Sequence, residues 1–157
     1  MTNQGPRKTV NDDHSAAWLL QAREFHESAR NLVTLAQSKS YNGAITLMVT
    51  AAIAYADAVT AEVKGVVNKQ DHQNAPRLLR EVLGNRLPDK QENFYRRLLG
   101  RKDEVNYGAR STTLGEAERL MAELDEFAAW AEGVLRPMPK MKPEALAYRS
   151  RFTCEAQ

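Results

Sequence analysis

Arg101 and Lys102 stand side by side in the stretch "LLGRKDEVNYG", and Asn106 and Tyr107 follow within six positions. A guanidinium next to an ammonium is a pair that attracts phosphate. A phenol can stack on a base or donate to a phosphate oxygen. An amide offers hydrogen bonds but exchanges no proton near neutral pH. Three histidines could exchange one. His14 precedes the first helical stripe, where solvent exposure is expected. His26 adjoins Phe25 and reads as a partly buried polar neighbour. His72 lies in the loop "KQDHQ", from which it could support the Arg101 corner or cap the following helix. Asp57 is the conspicuous polar residue of an otherwise apolar segment, a partner for Arg101, Lys102 or a tyrosine hydroxyl. It reads as a structural ion pair or hydrogen bond before it reads as a catalytic acid. No His, Cys and carboxylate spacing resembles a metal site, and there is no Gly-rich phosphate loop or serine-nucleophile motif. No metal and no cofactor are expected.

The elements that must position these groups are helical. Trp18, Ala22, Phe25, Ala29, Leu32 and Ala36 recur at alternating steps of four and three, a helical stripe reaching about Ser38. Asp12, Asp13 and Ser15 are residue types that start a helix, and Ser40 can cap the next one. That second helix, "YNGAITLMVTAAIAYADAVTAEVKG", is apolar nearly all round, which places it mid-bundle, and Gly65 is its expected C-cap. A loop of about ten residues follows, then a short helix with Leu78, Leu79, Val82 and Leu83. Pro88 or Asp89 opens a fourth helix and "NYG" closes it. Thr113 and Glu116 form a capping-box pair for a fifth, carrying Ala117, Leu120, Leu124, Phe127, Ala131 and Val134. No strand-like alternation competes. The expectation is an all-α fold, an antiparallel up-and-down bundle of four to five helices over residues 13–136. Residues 1–12 read as a flexible tail and 137–157 as a basic extension with one or two helical turns.

At about 100° per residue, Phe94, Tyr95, Leu98, Leu99 and Val105 draw one apolar arc on the fourth helix. Lys102 falls within that arc and Arg101 at its edge, whereas Arg96 and Arg97 face solvent. A cation on an apolar face needs a partner, a wet cavity or a route to the surface. Two readings stay open: a snorkelling pair favoured by the helix dipole, and an anion site in a cleft. Charge is unevenly distributed. Residues 76–110 hold nine Lys or Arg against five acids, and residues 111–135 hold one against six. That is either a basic face for phosphates or two oppositely charged helices lying together. The single Cys154 excludes an internal disulfide and points to a reducing compartment. The start lacks the apolar run of a signal peptide, and no membrane span is expected, so a soluble, cytoplasmic protein is anticipated.

The order of these segments resembles the HEPN superfamily of small helical bundles. The resemblance covers roughly residues 14–135, with "AYADAV" and "RKDEVNYG" its most pointed parts. It implies a homodimer. Active members are metal-independent ribonucleases whose R-x(4–6)-H motifs meet at the dimer cleft. Arg101 is similar to the motif arginine and Lys102 to the polar residue after it. Asn106 or Tyr107 stands where the histidine would fall. A phenol with pKa near 10 would need a large downward shift to replace an imidazole. The resemblance therefore implies a non-catalytic or substituted member. The expected function is binding of RNA or a nucleotide phosphate in a dimer cleft lined by Arg101, Lys102, Asn106, Tyr107 and Asp57. The alternatives are a ribonuclease toxin of a toxin–antitoxin pair, using Arg101 with Tyr107 or His72, and a regulatory or substrate-side partner of a small nucleotidyltransferase.

Overall fold

The computed structural model describes residues 7–10, 13–69, 71–108 and 110–136. Five helices form an up-and-down bundle: α1 (Asp13–Leu35), α2 (Asn42–Lys64), α3 (Ala75–Leu83), α4 (Asp89–Tyr107) and α5 (Leu114–Leu135). The extension from residue 137, with its expected helical turns and Cys154, lies outside the described residues.

Helix α2 packs against all four others. Its alanines are the reason: Ala44, Ala51, Ala52, Ala58 and Ala61 are at most 1% exposed, and small side chains let neighbouring backbones approach. By length and composition α2 could cross a membrane, but 72% of its most apolar window is buried inside the bundle. Phe94 and Tyr95 of α4 meet Phe127 of α5 with ring centroids 5.8 and 5.4 Å apart. Each such buried ring contributes roughly 1.5–3 kcal/mol relative to exposure. These contacts hold α4 in place beneath the residues of interest.

Several local expectations hold. Gly65 ends α2 at φ 65°, its N–H donating to the Ala61 carbonyl, a conformation that favours glycine. Thr113 accepts the Glu116 backbone N–H and so caps α5. Helix α4 begins after Pro88 and ends at Tyr107, followed by Gly108. A Cβ at position 108 would collide with the Glu104 carbonyl, so the chain can leave the helix this way only through glycine.

Other expectations are corrected. Residues 7–9, expected within a flexible tail, form a strand β1 (Arg7–Thr9) antiparallel to β2 (Val66–Asn68). The pairing is Arg7 with Asn68, Lys8 with Val67 and Thr9 with Val66. Three residues are too few to show alternation, but Val67 is buried and Val10 donates to the Gly65 carbonyl at 2.9 Å. Helix α1 stops at Leu35, short of Ser38, and its buried seam runs through Ser15, Ala22, Ala29 and Val33. Leu32, assigned to the stripe, is 39% exposed because it lies one position off that seam. Ser40 does not cap α2; its hydroxyl is buried with no partner among the described residues. The N-cap residue is Tyr41, held instead by its backbone N–H on the Thr112 carbonyl at 3.1 Å.

Candidate functional site

Neighbouring residues on a helix point about 100° apart, and α4 uses that angle to separate Arg101 from Lys102. Arg101 faces α5. Its Nη2 donates to Thr112 Oγ1 at 3.2 Å, and its guanidinium lies 3.5 Å from Glu104 and 3.8 Å from Glu116. Glu116 also takes Arg110 at 2.7 Å. Thr112 is the hub of this corner. It is 1% exposed, and both its N–H and its hydroxyl donate to Asn42 Oδ1, at 3.0 and 2.7 Å. Asn42 Nδ2 returns a bond to the Arg110 carbonyl at 3.0 Å. The connection between α4 and α5 is thereby tied to the start of α2. A cavity of about 450 Å³ does adjoin Arg101, but Arg97, Arg101 and Arg119 share it with Glu104, Glu116 and Glu123. Three guanidinium groups and three carboxylates leave little net field for an anion.

Lys102 faces the other way, toward α2 and the turn His72–Asn74 that precedes α3. His72 and Lys102 both line two cavities. One, of about 460 Å³, includes Asp71, Arg96 and Asp103. The other, of about 190 Å³, is a slot formed by Thr46, Val49, Thr50 and Ile53 of α2 with Val105 and Asn106 of α4. The His72 imidazole is held below its usual pKa, first by burial and then by the Lys102 charge, so it is neutral at pH 7. Its Nδ1 is buried and has no hydrogen-bond partner among the described residues. Asp71 is committed to the turn itself, accepting the Gln73 N–H at 3.2 Å and the Asn74 amide.

The charge asymmetry resolves into helices that neutralise one another. Lys90 meets Glu126 at 2.6 Å, Arg97 meets Glu123 at 2.5 Å and Arg96 meets Glu92 at 2.9 Å. With Arg101 between Glu104 and Glu116, every cation of α4 except Lys102 has a carboxylate within 4 Å. Among the described residues, Arg77, Arg80 and Arg110 also have carboxylates within 4 Å. Lys102 has no such partner among the described residues.

The remaining candidates separate from this pair. Asp57 pairs with neither Arg101 nor Lys102. Loss of water pushes its pKa up to about 7, with the nearby Asn68 backbone N–H opposing the rise. Burial, with the Asp57 charge added, raises the Tyr95 phenol, whose hydroxyl is buried without a partner among the described residues. Tyr107 is 87% exposed at the end of α4 and lines none of these cavities. Asn106, by contrast, stays beside Lys102 on the slot.

One polar cluster escaped the sequence reading. His26, read as a neighbour of Phe25, bridges three helices. Its Nδ1 is 2.9 Å from the Tyr55 hydroxyl and its Nε2 is 2.7 Å from Asp125, which Arg30 holds at 2.5 Å. One turn away Arg23 pairs with Glu132 at 2.7 Å. A neutral imidazole satisfies both contacts: the Tyr55 hydroxyl donates to Nδ1 and Nε2–H donates to Asp125. Tyr55 is 2% exposed and burial pushes its pKa to about 12, so no substrate reaches it and no nucleophile forms. The His26 to Arg30 spacing of four was the available signal; Tyr55 and Asp125 come from other helices, and no local pattern pointed to them.

Comparison by sequence finds no matching protein family and no matching curated protein. Among the described residues no group of three His, Cys, Asp or Glu is arranged to hold a metal. Lys102 and His72 stand together on two cavities: an ammonium with no carboxylate within 4 Å among the described residues and a neutral imidazole whose Nδ1 is buried without a partner, with the Asn106 amide beside them on the slot.

Proposed function

We propose that the chain is a non-catalytic, HEPN-like helical module that binds a phosphate-bearing ligand, RNA or a nucleotide, beside His72 and Lys102. The observation that carries this reading is Lys102, the one cation of α4 without a carboxylate among the described residues, set between two cavities. The helical order agrees with what the HEPN resemblance implies, and that resemblance also implies a homodimer. Arg101 becomes a positioning residue that braces the corner. The ribonuclease reading draws less support: His72 and Arg101 line different cavities, and Tyr107 stands free of both.

The test is binding of a labelled RNA oligonucleotide and of nucleotides to wild type, Lys102→Ala and Arg101→Ala, with light scattering for the assembly state. Lys102→Ala weakens binding at least tenfold, and Arg101→Ala leaves it within about twofold while the protein is folded. Unchanged affinity in Lys102→Ala refutes the assignment. RNA cleavage in chelator by pure protein, lost in a His72 variant, would restore the enzyme reading.

A second reading has one observation behind it. Nucleotidyl transfer needs an accessible acceptor hydroxyl, and Tyr107 offers one at 87% exposure. This supports a partnership with a small nucleotidyltransferase, tested by co-purification with such an enzyme and by mass gain that disappears in Tyr107→Phe.

A further inference from the structure

The two cavities that meet at Lys102 differ in chemistry, and the difference specifies a ligand. The slot between α2 and α4 is walled by Val49, Ile53 and Val105. Its threonine hydroxyls are turned back onto their own helix, Thr46 donating to the Asn42 carbonyl at 3.2 Å and Thr50 to the Thr46 carbonyl at 2.9 Å. At about 190 Å³ the slot is smaller than the roughly 300–1,000 Å³ of drug-sized sites. A single planar heterocycle suits it. Besides the threonines, the polar residues that line it are Asn106, His72 and Lys102, and the last two also line the larger cavity. Beyond Lys102 the larger cavity mixes apolar wall, Pro76 and Leu99, with charge: Arg96 lines it, and so do Asp71 and Asp103. Arg96 is already held by Glu92 at 2.9 Å, and Asp71 and Asp103 oppose further negative charge, so Lys102 is the cation left for one phosphate and the cavity disfavours a polyanion.

Resting on the reading that Lys102 takes a phosphate, we infer that the ligand is a nucleoside monophosphate lying across Lys102. Its base enters the slot between Val49, Ile53 and Val105, and its phosphate lies in the larger cavity. Asn106 meets the base edge, and His72 lies at the junction of the two cavities.

Titration calorimetry with adenosine 5′-monophosphate, uridine 5′-monophosphate, adenosine and inorganic phosphate tests this on the full chain. At least one monophosphate binds ten times more tightly than both adenosine and phosphate. Thr46→Phe, which fills the slot from an exposed position, and Asn106→Ala, an exposed truncation that leaves the core untouched, each weaken that nucleotide at least fivefold. Neither changes phosphate affinity, whereas Lys102→Ala weakens both ligands. If the nucleotide binds no better than phosphate, or Asn106→Ala and a folded Thr46→Phe bind it like wild type, the slot assignment falls and the phosphate reading stands. If Lys102→Ala changes nothing, or wild type binds none of the probes, both fall. An RNA oligonucleotide binding more than a hundredfold tighter than either monophosphate overturns the single-nucleotide assignment.

Discussion

Replacing Asp57 by Asn should stabilise the protein at alkaline pH and matter less as the pH falls. Asp57 sits where α2 passes β2. Loss of water raises its pKa from 3.8 to about 7, and the single Asn68 N–H only partly offsets that. The folded protein therefore keeps this proton up to about pH 7, whereas the unfolded chain releases it near 3.8. Between those values the unfolded state binds fewer protons, so stability drops as pH rises and stays low above pH 7. At 1.36 kcal/mol per pH unit, the penalty is about 1.6 kcal/mol at pH 5 and about 4 kcal/mol at pH 8. Asparagine keeps an acceptor for the Asn68 N–H and carries no charge. Urea denaturation of wild type and Asp57→Asn, followed by circular dichroism from pH 5 to pH 8, isolates the group because other titrations cancel in the difference. The gap should widen by about 3 kcal/mol in favour of the variant, a large share of the roughly 5–15 kcal/mol typical of a whole domain. Parallel stability profiles would refute the reasoning, since they would mean the Asp57 carboxylate is solvated in the folded state.

Four further outcomes follow from the contacts described. Thr112→Val removes a buried hydroxyl shared by Asn42 and Arg101 and should cost about 1–3 kcal/mol in urea unfolding, with little change in helix content. Thr113→Ala strips the α5 cap and should cost about 0.5–2 kcal/mol by the same measurement. His26→Leu leaves the Tyr55 hydroxyl without its acceptor and should cost about 1–3 kcal/mol, with a lowered thermal midpoint. The His72 ring signals should titrate by NMR below the ordinary value of 6.5. In Lys102→Ala the midpoint should rise yet stay below that value, because burial is the larger cause.

The fold was legible because its signals are local. The all-round apolarity of α2, the Thr113 to Glu116 spacing and the glycine at position 65 each act within a few residues. The site was less legible because it depends on which side of α4 each residue takes. Arg101 and Lys102 are adjacent in sequence, and only the positions of α5 and the His72 turn decide that one is braced and the other uncommitted. Asn42 illustrates the limit. It lies 70 residues from Thr112, and nothing near either residue announces the two bonds between them. The β1–β2 pairing was hidden for the opposite reason: three residues on each side are too short for a period-two pattern to register.

The cancellation of charge between α4 and α5 has a consequence for encounter kinetics. Opposite charges a few ångströms apart produce a field that decays faster than that of a separated charge, and physiological salt damps the remainder within about 8 Å. Under the proposed binding at Lys102, a phosphate ligand is not steered from a distance and reaches the site by ordinary diffusion. Association rates should then vary little with ionic strength.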